Sequence, residues 1–217
     1  MKKVLVSLAT AFLLANGAYA QDEMRNDGRG FYLGAGLGVS SYQVTYLDDS
    51  YNLYDSDDNY VVEADSLDDS DMGYLFYAGY QFNKIIGIEA SYTDYGRFEY
   101  RKSYREPKAA ALYANAGYSF FDGQLRPFGN LGFGYLWQKQ SERYYDFDDA
   151  FATLHTGLGV EYYPSVLKGL GFRAAYESDF HVERVRSVDE DTDEVTRESL
   201  WQDYTLFYFG LQYKFRP

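Results

Sequence analysis

Residues 31–40 read Phe31-Tyr32-Leu33-Gly34-Ala35-Gly36-Leu37-Gly38-Val39-Ser40. Phe31, Leu33, Ala35, Leu37 and Val39 fall on one face; Tyr32, Gly34, Gly36, Gly38 and Ser40 fall on the other. A period of two is that of a β-strand, because successive side chains on a pleated strand point to opposite sides. The glycines all share the face without the large aliphatic residues. That suits a narrow barrel, where small interior residues leave room for side chains arriving from other strands.

The pattern recurs seven more times. Residues 74–82 place Tyr74, Phe76, Ala78, Tyr80 and Phe82 on one face, and residues 86–92 place Ile86, Ile88, Ala90 and Tyr92. Residues 110–120, 127–137, 152–162, 170–178 and 205–215 do the same, the last through Phe207, Phe209, Leu211, Tyr213 and Phe215 against Gly210, Gln212 and Lys214. Most segments approach the roughly 9 to 11 residues that a tilted membrane strand needs. Short connections near 83–85, 121–124 and 163–169 contain turn formers such as Asn83, Asp122-Gly123 and Pro164-Ser165. They alternate with long ones near 45–72, 93–108, 138–150 and 180–204. Short turns on one rim and long loops on the other predict an all-β fold, an eight-stranded antiparallel transmembrane β-barrel in an up-and-down meander. A soluble lipocalin-like barrel would bury the aromatic face instead; here the narrow face holds the glycines and polar residues.

Composition agrees. The chain holds 25 Tyr and 16 Phe, yet its mean hydropathy is negative, and no long apolar run follows the N-terminus, so a helical membrane protein is excluded. At the start, Lys2 and Lys3 precede the apolar residues 4–14, and Ala18-Tyr19-Ala20 offers a small-x-small cleavage site. That order is a secretory signal peptide. The expected organisation is a leader at 1–20 and one barrel domain at 21–217. Loss of Lys2 and Lys3 takes the formal charge from −13 to −15. Nucleic acid is therefore not an expected partner. The absence of cysteine excludes disulfides and thiolate metal sites.

Three stretches resemble a known family. They are Gly79-Tyr80-Gln81-Phe82-Asn83-Lys84 running into Ile88-Glu89-Ala90-Ser91-Tyr92, then Arg126-Pro127-Phe128 with Leu131-Gly132-Phe133-Gly134-Tyr135, and the closing Phe209-Gly210-Leu211-Gln212-Tyr213-Lys214-Phe215. The chain is similar to the small outer membrane β-barrel proteins related to the membrane domain of outer membrane protein A, over nearly all of its mature length. The resemblance implies the cell outer membrane as location, outer membrane lipids and lipopolysaccharide as surroundings, and barrel-assembly machinery as a partner. The family's final strand usually ends on an aromatic; here Arg216 and Pro217 follow Phe215. No periplasmic peptidoglycan-binding domain is expected after the barrel. Within such a family, fold does not choose between structural, adhesive, pore-forming and lipid-modifying roles.

Candidate chemistry lies in two places. By alternation Glu89, Glu161, Arg173, Glu177 and Lys214 face the interior, with Arg126 beside them. Charges in a narrow lumen must pair, so these six form either a structural plug or a gate. Glu161 and Arg173 flank one short turn and should be neighbours across adjacent strands. The stretch 45–72 carries ten acids and no base. Its Asp55, Asp57 and Asp58 superficially resemble a calcium loop, but Tyr60 occupies the position that needs glycine, leaving at most weak divalent-cation association. The next long connection is basic and aromatic, with Arg97, Arg101, Lys102, Arg105 and Lys108, and is expected to pair with neighbouring loops or touch lipopolysaccharide. His155 should face the lumen as a packed residue, and His181 should be solvated at a loop margin. No histidine, serine and acid share a catalytic spacing, and the glycine pairs lack the following helix of a nucleotide site. No cofactor and no enzyme activity are expected. The leading reading is a structural or surface-interaction role through long extracellular loops, for an extracellular ligand the residues do not name. A small gated porin is the alternative, and a lipid-modifying enzyme the third.

Overall fold

The computed structural model describes residues 28–46, 69–100, 103–142, 145–188 and 195–215. Among the described residues nine strands run in chain order: β1 (Gly30–Tyr46), β2 (Asp69–Gln81), β3 (Ile86–Asp94), β4 (Phe98–Tyr100), β5 (Ser103–Gly117), β6 (Leu125–Glu142), β7 (Tyr145–Tyr162), β8 (Leu170–Val188) and β9 (Val195–Lys214). β4 pairs only with the start of β5 at one rim. The other eight close an antiparallel meander, with β9 returning to β1 and β3 pairing directly with β5. Residues 1–20, including the expected cleavage site, and Asp55, Asp57 and Asp58 lie outside the described residues.

Register fixes the shape. Ser41 pairs with Thr205, then Ser178, Thr156, Leu131, Ala114, Ile88 and Tyr80 follow, and the row returns to β1 at Phe31, ten residues below its start. Ten residues at about 3.3 Å along the strand, against eight steps of about 4.8 Å across it, give a strand tilt of about 41° and a backbone radius of about 8 Å. A cylinder that narrow has room for one layer of side chains inside.

The alternation seen in the sequence becomes inside and outside. Phe31, Leu33, Leu37, Phe76, Leu112, Phe133, Leu158, Phe172 and Phe209 are exposed outward, while Tyr32, Tyr77, Tyr113, Tyr204 and Tyr208 are buried in the lumen. An outward belt of large apolar and aromatic residues around an interior with many polar groups is the surface of a membrane barrel. The glycine face has a specific use. A methyl on Gly34 would lie 2.3 Å from the Tyr77 ring, and one on Gly36 would lie 2.4 Å from the Tyr208 ring.

The short-turn rim is built as its residues suggest. The Asn83 side-chain carbonyl accepts hydrogen bonds from the backbone N–H groups of Ile85 and Ile86 at 2.8 and 2.9 Å. Gly123 takes φ 86°, a conformation that favours glycine, in a turn with open space around it.

The opposite rim corrects the sequence reading. Residues 138–142, 145–150, 180–188 and 195–204 are strand rather than loop. β6 and β7 stay paired out to Glu142 and Tyr145, and β8 and β9 out to Val188 and Val195. Once two antiparallel arms are in register, each further residue adds ladder hydrogen bonds with no new closure cost, and residues such as Val182, Val185, Val188 and Val195 suit a pleated strand. β7 and β8, however, pair with each other only from Leu154–Phe180 downward. Above that seam the wall splits into two hairpins, and residues 145–153 and 181–188 each leave one edge without a strand partner among the described residues.

Candidate functional site

The lumen is a continuous polar and aromatic network from the short-turn rim to the long-strand rim. At the short-turn end Lys214 donates to the Gly28 carbonyl at 2.7 Å and to Gln81. Just above, Arg126 donates to Glu161 at 3.3 Å and to the Ile85 carbonyl at 3.1 Å. Tyr77 donates to Gln212, which in turn donates to Tyr163.

Arg173 dominates the middle and is 1% exposed. One terminal nitrogen donates to both Glu89 oxygens at 3.0 and 2.9 Å, and the other lies 3.8 Å from Glu177. Its guanidinium is held between the faces of Tyr77 and Phe128, at 4.4 and 4.3 Å from their ring centres. Such stacking suits a planar cation better than a compact ammonium. Tyr113 also donates to Glu89, and Glu177 accepts from Tyr208 at 2.9 Å and Asn130 at 3.1 Å. The charges here are out of water, so ion pairs and hydroxyl donors must replace their hydration.

One layer higher, His155 lies between two acids. Its Nδ1 is 3.2 Å from Asp179, its Nε2 is 3.8 Å from Glu177, and its ring stacks on Tyr113 at 4.3 Å. Asp179 accepts from Thr153 at 2.9 Å and Tyr95 at 2.6 Å. The mouth is closed by rings and aliphatic side chains: Tyr42 stacks on Tyr204 at 4.6 Å, with Phe98, Leu75, Leu136 and Leu206 buried around them. Tyr204 donates to Gln138, Tyr42 donates to Gln202, and Arg105 donates to Tyr42. The interior is thus not uniformly polar; its upper part is a tyrosine and leucine plug.

Five of the six charges expected inside are buried there, and Lys214 is half-buried at the floor. Glu161 and Arg173 do face each other in register, but neither is the other's ion partner. Glu161 takes its opposite register neighbour Arg126, while Arg173 crosses the lumen to β3. His155 faces the lumen. His181 is a correction: it is 4% exposed rather than solvated, and its ring stacks between Phe151 at 4.5 Å and Tyr204 at 6.1 Å. It faces inward because β8 continues the alternation Arg173, Glu177, Asp179 past the point where a loop was expected. The same continuation reveals Asp179, which sequence reasoning missed. The basic connection pairs mainly within itself: Arg97 with Glu99 at 3.2 Å and Glu106 at 3.8 Å, and Lys108 with Asp94 at 2.7 Å. The Arg97 backbone N–H also donates to Asp71, on the first long connection.

Comparison with solved structures shows the same fold. Neisserial surface protein A matches at a TM-score of 0.52 with 16% identity, over 86% of this chain and 97% of its own. The outer membrane protein AlkL, determined in lipid bilayers, matches at 0.51 with 12% identity, over 92% and 96%. No curated protein matches the chain. The outer membrane protein beta-barrel domain family matches residues 8–215. The chain belongs to that family and is a transmembrane barrel of the Gram-negative outer membrane.

Proposed function

We propose that the barrel acts at the cell surface as a non-enzymatic interaction protein, presenting its two extended hairpins to an extracellular partner. One observation carries this reading: above the Leu154–Phe180 seam, residues 145–153 and 181–188 each have one strand edge on the long-strand side with no strand partner among the described residues. Long strands lie on the extracellular rim of such barrels, and an unpaired edge is a template for an added strand. The plugged lumen supports the same reading, because the interior is committed to packing. Residues 1–20 then serve as the export leader, and assembly machinery inserts the barrel. Cells with and without the protein, compared for binding to host-surface preparations, test it. A variant in which Asn-Gly replaces residues 184–199 keeps the wall but removes the upper part of the β8–β9 hairpin. Binding should fall with that variant, and undiminished binding overturns the reading.

A gated porin is the second reading. Arg173 lies between two acids, Glu89 at 2.9 Å and Glu177 at 3.8 Å, so a shift of partner is geometrically available. Planar-bilayer conductance separates the two. Lipid A mass spectrometry on a deletion strain tests lipid modification.

A further inference from the structure

The outward face of β9 changes character near its top. Upward from Tyr213 it presents Leu211, Phe209 and Phe207, then Thr205, Asp203 and Trp201. On a strand tilted by about 41°, alternate residues climb about 5 Å per step along the barrel axis. Five steps separate Tyr213 from Asp203, or about 25 Å, the height of the apolar band of an outer membrane barrel. Asp203 therefore stands where acyl chains end and the headgroups of the outer leaflet begin.

Three strands surround it. Gln43 on β1 and Phe180 on β8 are its register partners. One row below, the Ser41 and Thr205 hydroxyls lie 2.6 Å apart. One row above, Trp201 is 40% exposed, and its ring meets Phe180 edge-on at 6.4 Å. Asp203 is half-buried, and no described residue gives its carboxylate a hydrogen bond or a counter-charge. A half-desolvated carboxylate needs donors, and none of the described residues supplies one.

We propose that Trp201, Asp203 and Gln43 form a binding site for the sugar headgroup of an outer-leaflet glycolipid. Ring hydroxyl and amide N–H groups supply the donors that Asp203 lacks. The Gln43 amide both donates and accepts. The exposed indole packs on the apolar C–H face of a pyranose, as an amphipathic ring at the membrane interface can. Sugar is favoured over a bare phosphate, which Asp203 would repel with no cation beside it among the described residues. This inference rests on the outer membrane placement, independently of any extracellular partner.

The chain has two tryptophans, so Trp137→Phe leaves Trp201 as the sole reporter. The full-length protein with that change is reconstituted in phosphatidylcholine vesicles containing a rising fraction of a phosphate-free glucosamine-disaccharide lipid, with chelator present. Trp201 emission should shift along a saturating curve. Asp203→Leu should raise the half-saturating fraction about tenfold, the loss of roughly one charge-assisted hydrogen bond, and Gln43→Leu about threefold. Phosphatidylglycerol in place of the glycolipid should give no saturation. A response linear in glycolipid, one unchanged in both variants, or equal saturation with phosphatidylglycerol overturns the proposal. Gln43→Leu, on the neighbouring strand, keeps the test decisive should Asp203→Leu fail to insert.

Discussion

Replacing Arg173 by Met keeps most of the side-chain volume and removes the charge. In the folded barrel this strands Glu89, whose two oxygens otherwise accept from Arg173 at 3.0 and 2.9 Å, and leaves Glu177 without the guanidinium 3.8 Å away. Both acids are almost completely buried, so water does not take over freely. Breaking one partner out of a buried pair costs about 3–5 kcal/mol. The lost cation–π contacts to Tyr77 and Phe128 add about 1 kcal/mol. The expected loss for Arg173→Met is therefore about 4–6 kcal/mol, read as a lowered urea midpoint of the barrel in lipid vesicles. Glu89→Gln in the same chain removes the stranded charge while keeping an acceptor for Tyr113, and should restore more than half of the loss. Conductance measured on the same variants separates plug from gate. A plug leaves conductance low when Arg173 is removed, because the tyrosines and leucines of the mouth still fill the barrel; a gate lets it rise. A loss below about 1 kcal/mol, or no recovery in the double variant, would refute Arg173 as the organising charge of the lumen.

Three further outcomes follow from single positions. Phe209 is 67% exposed, two outward steps above Tyr213 and so near the middle of the apolar band; Phe209→Arg should cost about 2–4 kcal/mol in vesicle unfolding, whereas an unchanged midpoint rejects the outward face. Gly34→Ala places a methyl 2.3 Å from the Tyr77 ring that packs on Arg173, and should cost about 1–3 kcal/mol, while no measurable loss means that the ring moves freely. His181→Phe keeps the stack on Phe151 and Tyr204 and removes two buried nitrogens that no described residue satisfies; thermal unfolding should show a gain of about 1 kcal/mol, and a loss of that size would point to a polar role for the imidazole.

Alternation carries the fold because a one-residue slip in a barrel turns every side chain to the wrong medium. Phe31 through Ser40 already separates a lipid face from a lumen face, and the same parity placed Glu89, Glu177 and Arg173 inside. Parity says nothing about which interior residues meet. Arg173 finds Glu89, 84 positions away, because the ten-residue offset around the barrel and the tilt it imposes bring β8 opposite β3 at that level. The register neighbour Glu161, closer in sequence, is left to Arg126. Strand ends escaped for a different reason. Beyond the bilayer the outward residues need not be apolar: the outward row Phe172, Ala174, Tyr176 breaks at Ser178, while the backbone ladder continues to Val188. The loss of pattern marks the membrane boundary rather than the end of the strand. The split between β7 and β8, which we propose meets a partner, lies beyond that break, where only backbone pairing reveals the edge.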